Sequence, residues 1–230
     1  MSASGRRARA HVEVYLELGR DGKRTFAGAI EWPGWCRSGR DSDAALAALV
    51  AYGPRYATVL GSDIRFVPPD DVELLEVVEH VQGNATTDFG APDAGPRSDA
   101  EPLRGAALAR QRKILRACWK AFDRSMKRTA SVELRKGPRG GGRDHARIAS
   151  HVLDAERSYL ARLGKYPDGD AGDATKRMPA MRDAIIEALG EPPDETSKRK
   201  LWSRRFFVRR AAWHVLDHTW EVEDRAAPER

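Results

Sequence analysis

The sequence predicts an α+β protein: a small N-terminal antiparallel sheet with a helix, followed by an all-α four-helix bundle. Three observations carry that expectation. Residues 11–18, "HVEVYLEL", alternate apolar and polar side chains, the period of a half-buried strand. Residues 83–102, "GNATTDFGAPDAGPRSDAEP", are rich in Gly, Ala, Pro and Asp and read as a linker. After them come four amphipathic segments with no strand pattern between them. The expected division is a domain over 1–85, a linker over 86–102 and a bundle over 103–230.

Within the first part, Asp21-Gly22 marks a hairpin turn between the strand at 11–18 and a return strand at 25–32, which Pro33-Gly34 ends. "WCRSGR" adds a short third strand. "DSDAALAALVAYGPRYATVL" reads as a helix with Asp41, Ser42 or Asp43 as N-cap, and Gly53-Pro54 is expected to kink or split it. "DIRFVP" reads as a strand, and "VELLEVVEHVQ" suits either element, with strand preferred.

The second part carries helices over 106–126, 145–163, 178–190 and 201–224. The first places Leu108, Ile114, Leu115, Cys118, Trp119 and Phe122 at close to helical spacing. The second sets Ile148, His151 or Val152, Ala155 and Tyr159 on one stripe. Gly190 and the Pro192-Pro193 pair stop the third. "RKGPRGGGRD" and "KYPDGDAGDATKR" are loops, and the first resembles a phosphate-cradling loop only loosely because it lacks a terminal Lys-Ser/Thr.

Composition narrows the function classes. The chain has 230 residues, 41% hydrophobic and 32% charged, with a mean hydropathy of −0.60. No apolar run approaches the roughly 20 residues of a membrane helix, and the basic N-terminus lacks the apolar core of a secretory signal. Cys36 and Cys118 match no metal or redox spacing, so they are expected as reduced structural thiols in a cytoplasmic protein. Residues 1–100 carry 11 Lys and Arg against 15 Asp and Glu, whereas residues 101–230 carry 29 against 19. Acidic residues interleave with that basic charge and no recognition motif accompanies it, so nucleic acid is not the expected partner.

The chemistry concentrates in "AAWHVLDHTWEVED", residues 211–224. His214 and His218 stand four apart, on one helix face, where two imidazoles can grip one ion. His151, on the inward stripe of the second helix, is the natural third ligand. Three neutral imidazoles leave a position open for water or substrate. Asp154, Asp217 and Glu221 are candidates to orient the rings or to act as general base. The bland alternative is a set of hydrogen-bonded core histidines. Trp213 and Trp220, seven apart, are expected to pack the helix against its neighbours. His145 is expected as a solvated first-turn residue, and His11 and His80 as structural or exposed.

"RKGPRGGGRDHARIASHVLDAERSYLARLG" with "FFVRRAAWHVLDHTWEVEDR" resembles the DinB-like (DinB/YfiT-like) metalloenzymes over roughly residues 101–226. The resemblance implies a four-helix bundle holding a divalent metal, zinc or nickel by ligand type, on His151, His214 and His218. It implies a small-molecule substrate, with a low-molecular-weight thiol as co-substrate in some members, and transferase, isomerase or hydrolase chemistry. "AGAIEWPGWCRSGRDSDAALAAL" is similar to the HicB-like antitoxin fold over about residues 10–80, but Trp35 interrupts the Pro-Gly-Cys turn and the family's DNA-binding tail is replaced by the helical part. Three functions follow as expectations: a metal-dependent enzyme, a non-catalytic regulator that binds a partner through its first domain, and a nucleic-acid binder. A homodimer is compatible with each.

Overall fold

The structure is a computed structural model that describes residues 11–136, 142–166, 174–192, 197 and 199–228. Most of the Gly-rich connection, the middle of the polar loop before the third helix, and Pro193 lie outside the described residues. The fold is α+β, and the chain divides into two compact units, Met1–Pro96 and Arg97–Arg230. No helix among the described residues is long and apolar enough to cross a membrane.

The first unit is a four-stranded sheet in the order β3-β2-β1-β4 with a helix. β1 (Val12–Leu18) and β2 (Thr25–Ala29) form the expected hairpin, in register from Val14 opposite Ala29 to Leu18 opposite Thr25. Gly22 takes φ 68° in the turn, a conformation that favours glycine. β3 (Cys36–Gly39) pairs antiparallel with β2. β4 (Leu75–Gln82) runs parallel to β1, so the sheet is mixed and not wholly antiparallel. The cause is the connection. α1 (Ser42–Leu60) intervenes, and a helical crossover allows a strand to return in the same direction where a tight turn cannot.

Asp41 caps α1 by accepting from Ala44 N at 2.8 Å. Gly53-Pro54 lies inside the helix without ending it. Packing on both sides holds the helix: Trp35 Nε1 donates to Leu49 O at 2.9 Å, and Tyr56 Oη donates to Pro33 O at 2.9 Å. Gly53 is needed for closeness, since a Cβ there would come 2.9 Å from Pro68. "DIRFVP" is not a strand. Pro68 and Pro69 bring no backbone donors, and Phe66 instead sets its ring 4.7 Å from Trp32, 5.0 Å from Trp35 and 5.2 Å from Tyr56.

The stretch read as linker carries structure. α2 (Ala85–Phe89) starts with a capping box between Asn84 and Thr87. Glu17, on β1, is fully buried. Its Oε1 accepts from Thr87 Oγ1 and from Asp93 N at 2.8 Å, tying residues 87–93 to the sheet. Burial pushes the Glu17 carboxyl above its usual range.

The second unit holds α3 (Gly105–Arg128), α4 (His145–Ala161), α5 (Ala174–Ala188) and α6 (Arg204–Ala226). Asp144 caps α4 by accepting from Arg147 N, and Ser203 caps α6 by accepting from Phe206 N. α6 is buried on nearly all sides and packs against both α3 and α4. Ile114, Leu115 and Phe122 from α3, Ile148 and Val152 from α4, Ile185 from α5 and Phe207 and Leu216 from α6 form the core. Just before α3, Asp99 is buried and makes two 2.8 Å hydrogen bonds with Arg209 of α6.

Candidate metal centre

α6 makes the site possible because it is central and carries its two histidines one turn apart. His214 and His218 are each 8% exposed, yet the helix around them is packed by Trp213 and Trp220, as expected. α4 presents His151 to them. The ring centres lie 4.7 Å apart for His214 and His218, 4.9 Å for His151 and His218, and 5.1 Å for His151 and His214. One nitrogen from each falls within 4.8 Å of the others, and Nε2 of His214 is 3.2 Å from Nε2 of His151.

An ion about 2.1 Å from each nitrogen of a tetrahedral site spaces those nitrogens about 3.4 Å apart. The His151–His214 separation is close to that spacing, and the His218 nitrogen lies within 4.8 Å of both. Their electrostatics agree with the donor set. Burial pushes His214 well below the ordinary imidazole range, with the neighbouring charges of His218, Arg210, His151 and Arg143 acting in the same direction. Burial also lowers His151, helped by His218 and Arg143 and opposed by Asp154 and Glu221. Both rings are held neutral, the form that binds a cation.

His218 has a support of its own. With its proton on Nδ1, it donates to Glu221 Oε2 at 2.7 Å and leaves Nε2 free to face the other two rings. The His218 hydrogen bond draws the Glu221 carboxyl below its usual range against the effect of burial, and Arg225 Nη1, 2.8 Å from Glu221 Oε1, adds to it. This carboxylate–histidine arrangement is the usual outer partner of a metal-binding imidazole. Of the other carboxylates, Asp154 is exposed and reaches His151 only through its charge, and Asp217 is half-buried.

The remaining histidines are not members of the cluster. His145 is half-buried, not fully solvated, and its Nε2 lies 2.9 Å from Thr129 Oγ1. It lines a cavity of about 590 Å³ with Phe122, Met126, Met178 and Arg182, and none of the three clustered histidines borders that cavity. His11 and His80 are exposed in the first unit. Cys36 and Cys118 are buried and form no disulfide with each other, and burial raises the Cys118 thiol far out of its reactive range.

Sequence reasoning passed over Arg210, one turn before His214. Extending the four-residue ladder from His218 through His214 backward reaches it, so the signal was present. It placed Tyr159 on the stripe of His151 but passed over Trp202, which adds to the wall beside the triad. Tyr159 lies 5.8 Å from the His214 ring and 5.2 Å from Trp202. No family model matches the chain, and neither a curated protein nor a solved structure does.

Proposed function

We propose that the second unit is a divalent-metal-dependent enzyme, with the metal on His151, His214 and His218 and a small molecule as substrate. The observation that carries this is the convergence of three imidazoles from two helices, two of them buried and His151 half-buried. Hydrogen-bonded core histidines would be expected to bond backbone or carboxylate groups separately. Here two of them turn Nε2 atoms toward each other at 3.2 Å, so each Nε2 meets another imidazole and not a backbone or carboxylate group.

Bound there, a zinc or nickel ion would supply Lewis-acid polarisation, or lower the pKa of a coordinated water or thiol, at the position that three ligands leave open. The chain's own residues do the rest. Glu221 fixes the His218 tautomer, and Arg225 fixes Glu221. Tyr159, Trp202 and Trp213 give the site an apolar wall that limits water. Group transfer to or from a low-molecular-weight thiol, or hydrolysis, is the chemistry we assign, in keeping with the DinB-like resemblance of residues 101–226.

The test is elemental analysis of the full chain beside a His151→Ala/His214→Ala/His218→Ala variant, with helix content followed by circular dichroism. About one equivalent of a divalent transition metal in the wild type, lost in the variant at unchanged helicity, supports the proposal. A wild type that takes up no metal on titration with zinc, nickel or cobalt overturns it.

A further inference from the structure

Three buried arginines of the second unit have different partners. Arg209 is 7% exposed and bonded twice to Asp99. Arg182 is 8% exposed and its Nη1 is bonded to both oxygens of Asp123. Arg210, also 8% exposed, forms no ion pair with a carboxylate among the described residues. Its Nε and Nη1 are shielded from solvent and make no hydrogen bond there. Ring faces hold it instead: its guanidinium carbon is 4.8 Å from the centre of Trp213 and 5.7 Å from that of Tyr159.

Contacts with aromatic faces offset only part of the cost of burying a cation whose donors are left unsatisfied. The position is therefore unfavourable in the free protein and becomes favourable when an anion arrives. Its location says where that anion sits. Arg210 is four residues before His214, on the same face of α6, and Tyr159 touches both, 5.8 Å from the His214 ring. The donors of a guanidinium lie along its edges, where a planar carboxylate can accept two parallel hydrogen bonds from Nη2 together with either Nε or Nη1.

We infer that Arg210 anchors a carboxylate of the substrate, holding a small carboxylic acid so that its second polar group reaches the three-histidine site. The inference rests on the metal-site reading above. It makes Arg210 a binding residue and narrows the substrate class to organic acids carrying a second oxygen-bearing group.

Cobalt-loaded full-length protein, titrated with malonate, succinate and glutarate and with the monoamide of each, tests it through the visible absorption of the bound cobalt. In the wild type at least one diacid should bind ten or more times tighter than its monoamide. Arg210→Met should erase that preference while cobalt still binds and helix content stays unchanged. Arg210→Lys, which keeps the charge and the fold but loses the paired hydrogen bonds, should retain a smaller preference and serves if the Met variant does not fold. Failure of the wild type to bind cobalt sinks the metal reading and this inference with it. Normal cobalt binding with no diacid preference, or with one that survives in Arg210→Met, overturns the inference alone.

Discussion

Nε2 of His214 lies 3.2 Å from Nε2 of His151, across the contact between α6 and α4. Two neutral imidazoles at that distance share one proton as donor and acceptor, or both turn lone pairs to a cation between them. A metal between them would require both rings to carry their protons on Nδ1, as the Glu221 contact already favours for His218. His151→Ala and His214→Ala should therefore each weaken zinc or nickel binding by more than the roughly 10–100-fold typical of losing an outer-shell partner. The unfolding midpoint of the metal-free protein should change little, because apolar packing holds the helices. Competition against a chromophoric chelator measures the first, and urea unfolding the second. Unchanged affinity in either variant would show that the pair is a hydrogen bond in the core.

Glu221 should matter less than the ligands and in a distinct way. Glu221→Gln keeps an acceptor near His218 Nδ1 but removes the charge that Arg225 and His218 share. Metal affinity should fall by about 10-fold, within the range for outer-shell carboxylates. Glu221→Ala should cost more. Equal affinity in the wild type and both variants would exclude Glu221 from the site.

Periodicity carried much of this architecture into the sequence. The hairpin at 12–29 and the four long helices follow from period 2 and period 3.6, and the histidine spacing placed His214 and His218 on one face. What was illegible has polar causes. Residues 83–102 were read as linker because they hold few apolar side chains, but Thr87 and Asp93 bind a buried carboxylate and Asp99 binds a buried guanidinium. Hydrophobic patterning cannot register a segment that docks through hydrogen bonds. The parallel β1–β4 pairing was missed for another reason: strand direction depends on the crossover, which one strand's own pattern does not encode. In "DIRFVP" the β-branched and aromatic residues suggested a strand, and an aromatic pocket captured Phe66 instead.

Asp99 and Arg209 supply a test of how that polar docking works. Both side chains are less than a tenth exposed and joined by two charge-assisted hydrogen bonds. Asp99→Ala leaves a buried guanidinium without its carboxylate and should destabilise the protein by about 3–5 kcal/mol. Replacing both, as Asp99→Leu with Arg209→Met, should recover much of that loss, since an apolar pair of similar volume avoids the desolvation. Urea unfolding of the wild type, the single and the double variant decides it. A single variant within about 0.5 kcal/mol of wild type would mean that the pair contributes no net stability.

Glu156 should make stability depend on pH in a predictable direction. The residue is 2% exposed on α4, and both of its carboxylate oxygens lack a well-formed hydrogen bond. Arg182 Nε is 3.7 Å away and Trp119 lies beside it. Burial raises the carboxyl to about 7, partly offset by Arg182 and Trp119. The folded state therefore holds this proton more tightly than the unfolded chain, where an ordinary Glu titrates near 4.3. Its contribution to stability is fully present below that value and is lost as pH rises through about 7. Glu156→Gln keeps the shape of the protonated acid and removes the titration. The stability of the wild type relative to this variant should therefore decline between about pH 4.5 and pH 7.5, by at most about 1.4 kcal/mol per pH unit, and level off above. Urea unfolding of both proteins at half-unit intervals reads that difference, and other carboxyls, including Glu17, cancel from it. A difference that stays flat across the interval would place the Glu156 proton at its ordinary value and show that Arg182 fully compensates the burial.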